Sequence, residues 1–345
     1  MKIDCKGNTL FDTLGGKTIA VVYMFENELM QGLDHYWIWR SDIISGWLKA
    51  IQELQCVPYV LDIRTFSQKA FDHSLPKIDF VINLNCGCTE LSSLALVPSI
   101  CSVIGVPCIP CNAAAITATE NKEISNIIAQ AAGLNVPRVL SSSDQNGIFR
   151  PLSFGSSIGV HRGNSKNDAL PGIYQEFIPG FDITMPIVYN PENEEMNVLP
   201  SIAYIPHTCN PEWFYSAEEK IKDNGFDVYP MTIISHDLEE RILSFIKKFP
   251  ITTYGRIDAR IKTQAPLSKN SADVLLNLSD FYFVEVNSMP TIEVEDSFEY
   301  SLNSILANPR HSFYSYANYY FDTVSNPSIH GFLLSCSILS VITKC

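Results

Sequence analysis

An alternation of apolar strand-like runs with helix-patterned segments fills the first third of the chain and restricts what it can fold into. "KTIAVVYMF" reads as a strand, "SDIISGWLKAIQEL" as a helix with apolar residues three and four apart, and "CVPYVLDI" as a second strand. "IDFVINLNC" follows as a third strand, then "SLALVPSICSVIG" as a helix and "VPCIP" as a short strand. Strands separated by helical segments lie parallel in one sheet, with the helices as crossovers. The pattern predicts an α/β domain over residues 1–115.

Beyond it the texture changes. "TENKEISNIIAQAAGLNVPRVL" is a helix with a Gly stop, "IFRPLSFGSSIGVHRGNS" reads strand, loop, strand, and "IYQEFIPGFDITMPIVYN" is two strands about a Pro-Gly turn. "TTYGRIDARIK" and "FYFVEVNSMP" read as antiparallel strands joined by a polar loop. The last of these raises a chemical question. Glu285 and Asn287 are two apart on a buried strand, so they share one face, and an unpaired buried carboxylate is costly. Pairing with the "GRIDARI" strand brings Asp258 to the same place. Two carboxylates and an amide are hard oxygen donors that suit Mg²⁺ shared with phosphate oxygens. The other reading is structural, with Asp258 and Glu285 bridged to Arg256, Arg260 or other cations. The loop "FGSSIGV" has the same two readings: it can wrap phosphates with backbone N–H groups and the hydroxyls of Ser156 and Ser157, or simply turn the chain. Lys122 and Arg150, upstream of it, are the cations best placed to meet phosphates.

Composition narrows the ligands. A 46% hydrophobic and 18% charged chain of 345 residues is that of an ordinary globular protein. Its formal net charge of -13 supplies no basic field for a nucleic acid or an anionic membrane, so a bound phosphate must be a small one, held locally. The N-terminus shows no signal-peptide pattern, which leads us to expect a cytoplasmic protein whose ten cysteines are reduced thiols. "CIPC" at Cys108 to Cys111 reads as buried thiols, with a zinc knuckle or redox pair as the alternative. The apolar run in "GFLLSCSILSVITKC" is too short for a bilayer. It reads as a packed terminal segment or an oligomer contact.

Taken in order, these segments resemble the ATP-grasp superfamily, specifically its D-alanine–D-alanine ligase branch. The resemblance implies an ATP-grasp fold of α/β and α+β type. A Rossmann-like pre-ATP-grasp domain (1–115) would be followed by a central lid subdomain (116–190) and a C-terminal domain with the metal site and an extension (191–345). ATP would lie between two antiparallel sheets, with Mg²⁺ bridging its phosphates to Asp258, Glu285 and Asn287. Lys122 matches the first nucleotide lysine, and Arg150 stands where the family has a second lysine. Gln175, Glu176, Phe177 and Ile178 match the segment whose backbone contacts adenine, and Asp182 the acid that holds the ribose. Arg256 matches the arginine that steadies the reacting acyl group, and Lys220 a lysine closing over the γ-phosphate. These two, with Ser156, form the implied catalytic set. Glu28, or Glu26, would hold a substrate ammonium.

The chemistry implied is transfer of the γ-phosphoryl of ATP to a carboxylate, then attack of an amine on the acyl phosphate, releasing ADP and phosphate. The sequence departs from the family where substrate would bind. Thr291 replaces a glycine in "NSMPTIE", Ile221 replaces a tyrosine, and "LNCGCTEL" lacks the first-domain histidine. "IEVEDS" brings Glu293, Glu295 and Asp296 where small polar residues are usual, which is either a solvated face or a pair, Glu293 and Glu295, selecting a cationic substrate. These changes point to amino-acid-like substrates other than two D-alanines. The resemblance, with the apolar C-terminus, implies a homodimer. A kinase, or a silent nucleotide-binding relative, is the competing expectation.

Overall fold

Strands β1 (Thr18–Tyr23), β2 (Val57–Asp62), β3 (Phe80–Leu84) and β4 (Cys108–Ile109) form a parallel sheet in the order β2-β1-β3-β4. The computed structural model describes residues 10–24, 41–85, 94–141, 147–153, 155, 157–163, 171–216, 218–219, 225–231, 233–271, 275–293 and 296–343. The central strands are apolar on both faces because helices cover both. Ile19, Val21 and Ile82 turn to a cluster containing Trp47 of the helix Ser41–Glu53. Ala20, Val22 and Val81 turn to one containing Phe66 and Ile100. Phe66 belongs to a helix, Ile63–Phe71, that the sequence pattern does not announce. The apolar run of β2 extends to Ile63, yet the Asp62 carboxylate accepts the N–H groups of Arg64 and Thr65 and starts a helix there.

The remaining strands are antiparallel and make two sheets. The smaller has β5 (Gly147–Pro151) between β6 (His161–Arg162) and β7 (Gly172–Glu176). The larger contains β8 (Gly180–Asn190), β9 (Glu195–Val198), β10 (Ser201–Pro206), β11 (Phe226–Met231), β12 (Tyr254–Lys262) and β13 (Phe281–Asn287). Its order is β11-β10-β8-β12-β13, with β9 paired to β8. Period two sorts this sheet cleanly. Ile183, Met185, Ile257, Ala259, Phe283 and Val286 face a core shared with the helices Lys122–Ala131 and His236–Lys248, while Asp182, Thr184, Arg256, Asp258, Glu285 and Asn287 alternate with them.

Two local features set up the front face. β12 and β13 pair antiparallel as their pattern predicts, Asp258 opposite Glu285 and Arg256 opposite Asn287, but the register slips between Asp258 and Ala259 so that Val284 is the extra residue of a bulge. The hinge from β7 to β8 passes so close to β12 that a Cβ on Gly180 would collide with the Ile261 carbonyl, and φ there is +149°. Only glycine fits that approach.

The C-terminal apolar run is core. The helix Ile329–Ile342 is buried on nearly every side, packed on the helix Ser41–Glu53 and on β8. Among the described residues no helix is long and apolar enough to cross a membrane. Cys108 and Cys111 are free thiols, half-buried and buried, and no group of three His, Cys, Asp or Glu side chains among the described residues is arranged to hold a metal.

Candidate active site

The open side of the large sheet faces the small sheet, and charged side chains gather along the cleft between them. At one end Glu285 of β13 is met from across the cleft. Arg150 Nη2 of β5 donates to its Oε2 at 3.0 Å, and Lys122 Nζ lies 3.5 Å from the same oxygen. Lys122 opens a helix whose start Asn121 caps by accepting the N–H groups of Glu123 and Ile124. Arg150 and Lys122 are each 5% exposed. Burial lowers the pKa of both, with Glu285 acting against the shift. Arg150 also donates to the Val284 carbonyl at 2.9 Å and to Gln175 Oε1 at 3.2 Å, so it reads the bulge as well as the charge. Glu120 stands beside this group. Burial pushes its carboxyl up to about 7, with Lys122 opposing and Glu285 adding to the rise.

Next to it Asp258 is fully engaged. Arg256 donates to it twice, at 3.1 and 3.0 Å, Thr184 Oγ1 at 2.8 Å, and Asn287 Nδ2 at 2.9 Å. Both sequence readings of these acids therefore have a counterpart here. The ion pairs exist, Arg256 with Asp258 and Arg150 with Glu285, and the three oxygen-bearing side chains stand together on one half-buried face. That donor chemistry fits a hard divalent cation. Lys122, Arg150 and Arg256 set three cations against Asp258, Glu285 and the Glu120 carboxyl, which burial raises to about 7, so positive charge at this end grows as Glu120 takes up its proton.

The other end contains the groups expected to hold a base and ribose. Asp182 of β8 accepts from Arg260 Nη1 at 2.9 Å and from the Tyr215 N–H at 2.8 Å. Arg260 also donates to the Ile178 carbonyl at 2.7 Å and the Gly180 carbonyl at 2.9 Å. Phe177 lies between two guanidinium groups, Arg162 at 3.8 Å and Arg260 at 4.9 Å from its ring centre. Gln175 is fully buried and ties the Pro137 carbonyl to Arg150. Glu176 is paired with Arg138 at 2.8 Å. With Phe177 and Ile178, Glu176 lines a cleft of about 710 Å³ whose other walls include Arg138, Lys262 and Tyr282.

Of the remaining expectations, Ser157 adopts a positive φ of 60° and donates to the Tyr215 carbonyl at 2.9 Å. Thr291 is not among the residues with positive φ, so its backbone carries none of the strain a glycine position would impose. Asp296 caps the helix Ser297–Leu306, accepting the N–H groups of Phe298, Glu299 and Glu293. Burial raises its carboxyl to about 6. This assigns Asp296 to the fold and leaves Glu293 as the described member of the proposed selecting pair. Glu26, Glu28, Ser156, Lys220, Ile221 and Glu295 lie outside the described residues.

Sequence reasoning missed Thr184 and Glu120, and named Arg260 only as a bridge to Asp258 or Glu285, whereas it pairs with Asp182. For Glu120 a signal existed, an acid two positions before a lysine already chosen. For Arg260 the only signal was its phase on β12, two positions from Asp258, which says nothing about the Asp182 one strand away.

No protein-family model matches this chain, and no curated protein does. Solved structures do. The D-alanine–D-alanine ligase of Bacillus anthracis complexed with ATP is similar over 95% of this chain and 99% of its own, with TM-score 0.59 and 15% identity. The VanG D-Ala:D-Ser ligase of Enterococcus faecalis matches over 94% and 99%, with TM-score 0.59 and 12% identity. The D-alanyl-alanine synthetase A of Vibrio cholerae O1 biovar eltor matches over 95% and 99%, with TM-score 0.59 and 14% identity.

Proposed function

From a chain with the ATP-grasp fold of the D-alanine–D-alanine ligases, we propose an ATP-dependent carboxylate–amine ligase. It forms an amide or peptide bond through an acyl phosphate and releases ADP and phosphate. The observation that carries this reading is the cationic end of the cleft, where Lys122, Arg150 and Arg256 from three elements converge on Asp258 and Glu285.

Asp258, Glu285 and Asn287 would hold Mg²⁺, which when bound supplies charge neutralisation for a polyphosphate. Lys122 and Arg150 hold phosphate oxygens, and their burial keeps the attraction unscreened by salt. Arg256, planar and fixed by two hydrogen bonds to Asp258, presents a guanidinium to the developing negative charge on the acyl group. Such chemistry asks of the protein mainly position and compensating charge. The substrates are a carboxylate and an amine, and the likeness to ligases of D-alanine and D-serine supports amino-acid-like ones. The changes at "NSMPTIE" and "IEVEDS" argue against two D-alanines.

The test is ADP release in the presence of Mg²⁺ with amino acids supplied singly and in pairs. Release that requires a pair is the expected result. Release with one compound that forms no amide product makes the protein a kinase, and none despite nucleotide binding makes it a silent relative.

A further inference from the structure

On the side turned away from the cleft, the end of β13 is held by a contact that the proposed reaction does not use. Asn287, the last residue of the strand, donates to Asp258 in the cleft. Ser288 follows it and is fully buried behind the sheet. Its Oγ lies 2.7 Å from Oγ1 of Thr119, which is 2% exposed. A hydroxyl has one proton to donate. Thr119 gives its own to the Ile116 carbonyl at 3.1 Å, within the helix Ala113–Glu120, so Ser288 is the donor to Thr119. The Ser288 carbonyl accepts from Cys111 Sγ at 3.3 Å, and burial pushes that thiol up to about 12, which keeps its proton in place.

Both partners of Ser288 belong to one stretch outside the large sheet. Cys111 stands two residues past β4, and Asn112 caps the helix that carries Thr119 by accepting the Ala115 N–H at 2.9 Å. Residues 111–120 thus grip the end of β13 twice, by side chain and by carbonyl. That grip falls where the sheet holds the strand least. β13 is the edge of its sheet and is bulged at Val284, so among the described strands only β12 pairs with it.

We propose that Ser288 and Thr119 are positioning residues for the metal site, a brace that fixes the backbone of Asn287 so that its side chain joins Asp258 and Glu285 in holding Mg²⁺. The inference rests on the metal reading above. Mg²⁺ tolerates little departure from octahedral geometry, so a side chain that serves it must be fixed. Ser288 and Thr119 lie behind the sheet and act only through Asn287. Lys122 is anchored independently: its N–H donates to the Leu152 carbonyl at 3.0 Å, and Asn121 caps its helix. Loss of the brace therefore falls on the metal and not on the nucleotide.

The probe is a non-hydrolysable β,γ-imido ATP, titrated by calorimetry with and without Mg²⁺ and followed by hydrogen exchange. Thr119→Val keeps the shape and removes the hydroxyl that Ser288 reaches, Ser288→Ala removes the donor, and Thr119→Ser keeps the contact. In the first two, the apparent dissociation constant for Mg²⁺ at saturating analogue should rise roughly tenfold, the lower bound for a group that orients a metal ligand. Their metal-free affinity for the analogue should be unchanged, exchange at the Asn287 amide should be faster, and Thr119→Ser should behave as the unaltered protein. Unchanged Mg²⁺ affinity or unchanged exchange in Thr119→Val and Ser288→Ala, an equal fall in metal-free affinity, or a Thr119→Ser protein as impaired as Thr119→Val overturns the brace and leaves the contact a matter of packing. Binding of the analogue that does not respond to Mg²⁺ in the unaltered protein overturns the metal reading itself, and the brace with it.

Discussion

At one end of the cleft Glu285 meets Arg150 and Lys122 across the gap between two sheets, and Asp258 meets Arg256 on its own strand. At the other, Asp182 meets Arg260 one strand away and a backbone amide from residues 211–216. The first end gathers three cations from three elements around Asp258, Glu285 and Glu120. The second is a set of separate pairs, Asp182 with Arg260, Glu176 with Arg138 and Glu212 with Arg162, joined by backbone groups. The two ends therefore differ in how their charges are held, gathered around shared carboxylates at the first and paired off at the second.

The largest effect expected from breaking the first end is that of Glu285→Gln. It removes a donor that Mg²⁺ would use, so turnover should fall by at least about a hundredfold. It also leaves Arg150 and Lys122 buried without their counter-charge, at a cost of roughly 3 kcal/mol in folding free energy. Steady-state ADP release and urea denaturation measure the two losses. Asp182→Asn at the other end should cost turnover much less. Equal losses in the two variants would erase the distinction between the ends.

A smaller effect tests how phosphate is gripped. Arg150→Met should weaken binding of the imido analogue by roughly ten- to a hundredfold, the scale of one or two charge-assisted hydrogen bonds. Arg150→Lys keeps the charge but cannot reach Gln175, the Val284 carbonyl and Glu285 at once, so it should retain most of the affinity and lose some stability. Unchanged affinity in Arg150→Met, by calorimetry, would show that the cationic end does not bind phosphate through this side chain.

These two ends also differ in how far the sequence exposes them. Asp258, Glu285 and Asn287 are legible because polar residues at the open phase of an apolar strand call for a partner, although the bulge at Val284 interrupts the alternation of β13. Lys122 and Arg150 were legible as charges near a Gly/Ser loop and through the family resemblance, but their convergence on one oxygen of Glu285 depends on the small sheet folding over the large one. The base end was legible in part. The two strands and their turn followed from "IYQEFIPGFDI" and the expected role of Asp182 from the family resemblance, but the hold of Arg260 on both required β8 and β12 to be neighbours, a pairing between strands far apart in sequence. Residues 211–216 have no periodicity at all. Their structure is a set of contacts to other elements, which no local pattern encodes. The helix Ile63–Phe71 was hidden for a different reason, since one capping carboxylate converts the end of an apolar strand into a helix start.

The smallest effect concerns what supports the cationic end from behind. His330 in the helix Ile329–Ile342 is 7% exposed, edge-on to Trp47 at 5.0 Å and against the backbone of Ile292, just past the end of β13. Gly46 leaves room for it, since a Cβ there would stand 2.8 Å from the ring. Burial lowers the imidazole to about 4 from an ordinary 6.5, with the Ile292 backbone acting weakly against the shift. Between those values the unfolded chain binds more protons than the folded one, so stability present above about 6.5 is lost as pH falls toward 4. Glu120 and Asp296, raised by burial to about 7 and about 6, work in the opposite sense and add stability as pH falls. The total profile mixes these contributions, but the difference between the unaltered protein and His330→Gln isolates the histidine. Urea denaturation at a series of pH values should show the unaltered protein losing on the order of 1 to 3 kcal/mol more than the variant between neutral and mildly acid pH. Exchange at residues 211–216, which His330 does not touch, should be the same in both. Parallel stability profiles would mean that the histidine takes up its proton within the fold, and that the cationic end rests on a wetter core than its packing indicates.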